Sequence, residues 1–132
     1  MDKELFKDFK VLVVDDNEAA RLIMRRTLNV MGIDHVFESP NGQDAISKLM
    51  LGPVDLVISD WRMPGMTGLE LYKTAKIEKL LDSAEFLLVS AENEKDKIVE
   101  ALKEGIRNYI VKPIDIKIFQ EKVKELLPLP QN

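Results

Sequence analysis

Polar or charged residues stand at the carboxyl ends of four short apolar runs, and their types suit phosphate chemistry. In an open parallel α/β sheet, these strand ends lie along one edge, which is where such folds bind ligands. The sequence therefore predicts three carboxylates, a hydroxyl and an ammonium group in one cleft. The residues are Asp15 and Asp16 after Val11–Val14, Asp60 after Leu56–Ser59, Ser90 after Phe86–Val89, and Lys112 after Tyr109–Val111.

Three neighbouring carboxylates repel one another unless protons or a cation intervene. Oxygen ligands suit Mg²⁺ or Mn²⁺, and a chain with no Cys and one His offers little to zinc or copper. We assign Asp15 and Asp16 to the metal. Asp60 stands alone at a central strand end and is the candidate nucleophile, which would form an aspartyl phosphate.

Ser90 and Lys112 suit the same chemistry, as a hydrogen-bond donor and a point charge for phosphoryl oxygens. Each residue taken singly also has an ordinary structural interpretation. Asp16 could simply cap a helix, and Lys112 could be a solvated loop lysine. The coincidence of all these residues at strand ends favours a site.

The elements that must position these residues follow from the spacing of apolar residues. The strand-like runs are the four above and a weaker one, His35–Ser39, which we expect at an edge of the sheet. Segments with apolar residues at intervals of three or four lie between and after them and predict helices with one buried face. The stripes are Ala20, Ile23, Met24, Thr27 and Met31; Ala45, Ile46, Leu49 and Met50; Leu69, Tyr72 and Ala75; Ile98, Ala101 and Leu102; and Ile116, Phe119, Val123 and Leu126.

Local signals mark where several helices begin. Asp16 or Asn17 can cap the first helix, and Asn93 can cap the fourth. Thr67 followed three residues later by Glu70 indicates a capping box at the third. Strands and helices alternating five times predict an α/β fold, a (βα)5 doubly wound sheet of five parallel strands with helices on both faces.

Composition bounds the class of protein. The chain has 132 residues, 45% of them hydrophobic, and a formal net charge of −4 without a basic stripe, so nucleic acid is not an expected ligand. It has no apolar stretch long enough to insert into a membrane. We expect a cytoplasmic protein whose residues 1–132 form one domain, with a core over 10–127, a short N-terminal lead and a Pro-containing C-terminal tail.

Four segments together resemble the receiver domain of two-component response regulators, and most closely its single-domain chemotaxis regulators. They are Val11–Asn17 (VLVVDDN), Val57–Leu71 (VISDWRMPGMTGLEL), Leu88–Glu92 (LVSAE) and Tyr109–Pro113 (YIVKP). The resemblance extends from Lys10 to Leu127. It implies a single receiver domain of flavodoxin-like fold with strand order 2-1-3-4-5.

The resemblance also implies a role for each matching position. Asp60 would accept a phosphoryl group from a phosphohistidine on a histidine kinase of the chemotaxis type. Mg²⁺, or Mn²⁺ in its place, would be held by Asp15, Asp16 and Asp60, together with the backbone carbonyl of Arg62. The protein would act as a phosphoacceptor with autophosphatase activity and not as a classical enzyme.

The implied output is a change of surface. Ser90 and Lys112 would bind the phosphoryl oxygens, the Lys112–Pro113 peptide would be cis, and Tyr109 would turn inward as Ser90 moves. The fourth helix, fifth strand and fifth helix would then bind a partner. That partner would be a flagellar motor switch or a different regulatory protein, and we expect the protein itself to be a monomer.

Two further positions are expected to tune the lifetime of the phosphorylated form. Arg62 and Glu92 follow Asp60 and Ser90 by two residues each and carry opposite charges. In the receiver family, these positions border the path by which water reaches the acyl phosphate. We predict that the pair alters the rate of dephosphorylation more than it alters stability.

Three other classes compete with the receiver interpretation. An aspartyl-nucleophile phosphatase of the haloacid dehalogenase type would need an Asp two positions after Asp60, where Arg62 stands. A flavodoxin-like module for a nucleotide or flavin would need a phosphate loop that is not anionic after the first strand. A degenerate receiver serving only as a scaffold would lack reactive residues, whereas every reactive position is filled here.

Overall fold

A computed structural model describes residues 6–91 and 95–127 and confirms the predicted alternation of strands and helices. The strands are β1 (Lys10–Val14), β2 (His35–Ser39), β3 (Leu56–Asp60), β4 (Glu85–Ser90) and β5 (Asn108–Val111). The helices are α1 (Glu18–Val30), α2 (Gly42–Leu51), α3 (Gly68–Ile77), α4 (Lys95–Glu104) and α5 (Ile116–Leu126).

The sheet has the order β2-β1-β3-β4-β5, and all neighbouring strands are parallel. This is the expected order 2-1-3-4-5. The weak apolar run at His35–Ser39 is indeed an edge strand, while β3 is buried along its whole length. The parallel arrangement directs every carboxyl end toward the same edge of the sheet.

The core is divided by the sheet into two layers. Alternate residues of the central strands, such as Val13 and Ile58, pack against Leu28 of α1 and Phe119 of α5. Their neighbours, such as Val57, face α2, α3 and α4 on the opposite side. Strands buried on both faces explain why their sequences are almost continuously apolar.

The helix starts agree with the local sequence signals. The side chain of Asn17 accepts a hydrogen bond from the backbone N–H of Ala20, so Asn17 caps α1. Thr67 and Glu70 form the complete capping box of α3. Asn93, predicted to cap the fourth helix, lies outside the described residues.

Some residues of the predicted apolar stripes are not buried. Ile23 is 55% exposed, Met50 69% and Ile116 53%. Spacing identifies that a helix has an apolar side, but the contact with the sheet covers only part of it. In α1, the buried set is Met24, Thr27 and Leu28, so Ile23 falls at the solvent margin.

No helix in residues 6–91 and 95–127 combines the length and the apolar character that crossing a membrane would need.

Candidate functional site

The sheet register brings the predicted site residues to one edge. Beyond the end of β1, the N–H of Asp15 donates to the carbonyl of Ser39 over 3.1 Å. At the other side of the site, the N–H of Lys112 donates to the carbonyl of Ser90 over 2.7 Å. These bonds extend the sheet pattern past the strands, so the site residues are held by backbone and not by loose loops.

The three carboxylates form one group. Oxygen atoms of Asp15, Asp16 and Asp60 lie within 4.8 Å of one another, with Asp15 and Asp60 buried and Asp16 exposed. The Nζ of Lys112 lies 3.3 Å from Oδ2 of Asp60 and 3.9 Å from Oδ2 of Asp15. The Lys112 ammonium is thus within 4 Å of two of the three acids, so a single positive charge stands beside a cluster of three carboxyl groups.

Burial makes that negative charge costly. It raises the pKa of Asp15 above its ordinary value of 3.8, although the N–H of Asn17 and the Lys112 ammonium partly oppose the effect. Burial, and then the neighbouring Asp15 carboxylate, also raise the pKa of Asp60, against the opposing attraction of Lys112. Both shifts indicate a site that would gain from a further cation.

A hard cation fits the donor set. Within the part of the chain that the structure describes, Oδ2 of Asp15 is buried and has no hydrogen-bond partner, because Lys112 lies beyond hydrogen-bond distance. Oδ1 of the same residue is occupied by the N–H of Asn17 at 2.9 Å. A free buried oxygen beside two further carboxylates is a suitable site for Mg²⁺.

The hydroxyl of Ser90 resembles Oδ2 of Asp15 in its burial and its lack of a partner among the described residues. Ser90 ends β4, is fully buried, and its Oγ has no hydrogen-bond partner among the described residues. Buried hydroxyls without a partner are uncommon, so this one calls for an explanation. Tyr109 in the next strand is 39% exposed, and the Lys112–Pro113 peptide is cis, as the resemblance implied.

The backbone beside Asp60 allows α3 to start very close to it. The N–H of Gly68 donates to the carbonyl of Trp61 over 2.8 Å. A Cβ at position 68 would lie 2.4 Å from the carbonyl oxygen of Asp60. Only glycine lets the helix approach at this distance, so the turn after Asp60 is tightly specified.

One set of residues near the site was not singled out from the sequence. Arg21 and Arg25 of α1 both bind the carboxylate of Glu38 on β2, and Arg21 also reaches the carbonyl of Asp15. Two arginines four residues apart lie on one face of a helix, so their spacing could have indicated a shared partner. The position of Glu38 opposite them depends on the register of β2 and the rotation of α1, which the sequence does not disclose.

The two residues predicted to tune dephosphorylation are only partly described. Arg62 is exposed two residues after Asp60. Glu92 lies outside the described residues. The predicted Arg62–Glu92 pair therefore stays a prediction.

Comparisons with known proteins agree with this fold and cluster. The profile of the response regulator receiver domain matches residues 11–124. The chemotaxis protein CheY of Pseudomonas aeruginosa is 34% identical over 117 residues, which are 89% of this chain and 94% of that protein. A CheY homolog of Campylobacter jejuni is 40% identical over 119 residues, covering 89% of this chain and 92% of that protein.

Solved structures give the same result. CheY4 of Vibrio cholerae superposes with a TM-score of 0.82 at 28% identity, covering 90% of this chain and 98% of that one. A response regulator receiver protein of Pseudomonas putida gives a TM-score of 0.81 at 27% identity, covering 89% and 96% of the two chains.

The five-stranded parallel sheet with its acidic cluster at the carboxyl edge has the architecture of the receiver domains found in these comparisons. The chain belongs to the response regulator receiver domain family. It is homologous to the CheY chemotaxis proteins, and an aspartyl phosphatase is not favoured. Receiver domains are signalling proteins that bind Mg²⁺ in an acidic pocket, and Asp15, Asp16 and Asp60 supply such a pocket here.

Proposed function

We propose that this protein is a phosphorylation-dependent switch in chemotaxis signalling, with Asp60 as the residue phosphorylated by a histidine kinase. The observation that carries the proposal is the pairing of Asp60 with Lys112 at 3.3 Å, in a cleft with two oxygens that have no hydrogen-bond partner among the described residues. Those oxygens are the Asp15 carboxylate and the Ser90 hydroxyl. They are suited to a phosphoryl group and its cation, which would complete the site.

Asp60 would act as the nucleophile. One of its carboxylate oxygens forms a bond to phosphorus while the bond from phosphorus to the donor histidine nitrogen breaks, and the electron pair of that bond stays with the imidazole. The buried position of Asp60 would limit the access of water to the acyl phosphate. Mg²⁺, or Mn²⁺, held by Asp15, Asp16, Asp60 and the carbonyl of Arg62, would neutralise charge on the phosphoryl oxygens.

Lys112 and Ser90 would respond to the new negative charge on Asp60. The phosphoryl group adds about −1.5 to −2 charge beside the Lys112 ammonium. The unsatisfied Ser90 hydroxyl gains an acceptor when it moves toward the phosphoryl oxygens. That movement leaves space into which the exposed ring of Tyr109 can turn, so the surface around β5 changes.

The outer face of α4, β5 and α5 would carry the signal to a partner. The named relatives are chemotaxis proteins, which supports a chemotaxis kinase as the donor and a flagellar motor switch as the output partner. A regulatory protein outside the motor is the second candidate. We propose one receiver domain over residues 1–132 with its core at 10–127, because both core layers pack on a single sheet. We also propose that it acts as a cytoplasmic monomer.

Hydrolysis of the phosphorylated form would set the duration of the signal. Arg62 is exposed beside the cleft, where its long side chain can cover the approach to phosphorus, and Glu92 is its proposed partner. We expect Arg62→Asn to change the rate of dephosphorylation several-fold, with little change in Mg²⁺ affinity.

Incubation with acetyl phosphate and Mg²⁺, followed by intact-mass measurement, tests the chemistry. We expect one acid-labile phosphoryl group on the wild type and none on Asp60→Asn, because an amide is not a nucleophile at neutral pH. Asp34→Asn, at an exposed carboxylate before β2, is the control and should behave as wild type. Equal labelling of Asp60→Asn would refute the assignment, and the decay after donor removal measures the effect of Arg62→Asn.

A further inference from the structure

Arg21 is the one side chain in the described residues that joins α1 to the backbone between the two predicted metal ligands. Its Nη1 donates to the carbonyl oxygen of Asp15 over 2.6 Å. Its Nε donates to Oε1 of Glu38 over 3.0 Å. The side chain is only 14% exposed, so both bonds are shielded from competing water.

The carbonyl that Arg21 binds belongs to the peptide linking Asp15 to Asp16. A peptide unit is planar, so fixing its oxygen also fixes the direction in which the chain leaves Asp15 and enters Asp16. The Asp15 and Asp16 side chains are attached to the two Cα atoms that flank this peptide, and their carboxylate oxygens lie within 4.8 Å of each other. Arg21 therefore constrains how they are oriented relative to each other.

Glu38 holds the guanidinium group in place for this contact. One carboxylate oxygen receives Arg21, and the other receives Nε of Arg25 at 2.7 Å. Arg25 directs its remaining contact away from the site, to the carbonyl of Val36 at 2.9 Å. The two arginines thus share one partner, but only Arg21 reaches the acidic loop.

We propose that Arg21 is a positioning residue that preorganises the Asp15–Asp16 pair for a divalent cation. The inference rests on the proposed Mg²⁺ site and adds to it a residue that does not touch the ion. Outer groups that orient metal ligands commonly contribute tenfold or more to affinity. Arg21 would do this through the backbone and not through a ligand side chain.

An electrostatic role and a positioning role for Arg21 predict opposite changes in Mg²⁺ affinity when Arg21 is removed. A guanidinium near the cluster repels a cation, so its removal should tighten Mg²⁺ binding if charge alone mattered. If position matters more, removal should weaken binding, because the free loop must be ordered when the ion binds. The sign of the change therefore identifies the role.

The experiment compares Arg21→Gln with Arg25→Gln, which removes the same charge and also breaks one bond to Glu38. Mg²⁺ titrations followed by amide chemical shifts give the dissociation constants, and urea unfolding gives the stabilities. We expect the Mg²⁺ affinity to fall about tenfold in Arg21→Gln and to stay within about twofold in Arg25→Gln. Both variants should lose similar stability.

Amide hydrogen exchange without metal supplies an independent measurement. The N–H of Asn17 is bonded to the Asp15 side chain, and we expect it to exchange faster in Arg21→Gln than in Arg25→Gln. Unchanged or tighter Mg²⁺ binding in Arg21→Gln, or equal exchange in the two variants, would overturn the inference. If the wild type itself showed no Mg²⁺ response, the proposed function would fail, and the exchange rates would still decide the role of Arg21.

Discussion

At the scale of single residues, the geometry of the site depends on the close approach of Gly68 to the backbone of Asp60. Gly68 begins α3 directly against the Asp60 backbone. Its missing side chain is what allows the helix to approach, since a Cβ would also lie 3.0 Å from Cδ1 of Leu88. The obstacle at 2.4 Å is the Asp60 carbonyl, part of a buried strand that cannot rotate away.

We therefore expect Gly68→Ala to destabilise the protein by about 1–3 kcal/mol, as overpacking does, and to displace Asp60. Gly52→Ala is the matched control, because no atom of residues 6–91 and 95–127 lies within 4 Å of its added Cβ. Urea unfolding measures both changes. A Gly68→Ala variant as stable as Gly52→Ala would show that the turn relaxes and that the close approach is not required.

The clustering of Asp15, Asp16, Asp60 and Lys112 at one sheet edge could be predicted from the sequence, but the burial and hydrogen bonding of individual atoms could not. Asp60 and Lys112 were found because each follows an apolar run and parallel strands end at one edge. The Ser90 hydroxyl and one Asp15 oxygen are buried without a partner in the part of the chain that the structure describes, and this depends on distances across three strands. The contact from Arg21 to the Asp15 carbonyl depends on helix rotation, which residue types do not fix.

At the scale of elements, α1 is attached to the edge strand β2 by the shared carboxylate of Glu38. Burial tends to raise the pKa of Glu38, but the hydrogen bonds from Arg25 and Arg21 outweigh it and lower the pKa below the ordinary 4.5. A lowered pKa means that the folded protein favours the ionised form. The resulting stability is present above about pH 4.5 and is lost as the pH falls through the folded-state pKa.

We expect Glu38→Gln to lower the free energy of unfolding by about 1–2 kcal/mol at pH 7, because two charge-assisted bonds are weakened. The difference from wild type should shrink as the pH falls below 4.5. Urea unfolding from pH 7 to pH 3.5 measures it. Glu125→Gln, from an exposed pair with Lys122 on α5, is the control and should cost little. A difference in unfolding free energy between the wild type and Glu38→Gln that stays constant with pH would contradict the ion-pair explanation.

The order of the elements was readable because strands buried on both faces are continuously apolar and the helices between them are amphipathic. The strand most difficult to recognise was β2, whose outer position leaves Phe37 exposed. The exact buried side of each helix was less predictable. Ile23 and Ile116 fit a stripe by spacing, yet both side chains are more than half exposed, because sheet twist and helix packing decide which part of the stripe is covered.

At the scale of the whole molecule, the fold places a reactive edge at one end of a sheet whose interior is apolar on both sides. Burial raises the pKa of Asp15 and Asp60, so their ionised forms are disfavoured in the folded protein relative to the unfolded chain. A cation bound to these carboxylates, or a phosphoryl group attached to Asp60, would change the equilibrium between their ionised and protonated forms. The same sheet connects the edge to β5, where Tyr109 is exposed.

The central claim is that a phosphoryl group on Asp60 changes the surface formed by α4, β5 and α5. Amide spectra of the labelled protein, recorded with Mg²⁺ before and after adding beryllofluoride as a phosphoryl mimic, test it most directly. We predict changes at Asp60, Ser90 and Lys112 that extend to Tyr109 and the neighbouring helices, and none of these in Asp60→Asn. Changes that stop at the cleft, or that persist in Asp60→Asn, would contradict the account.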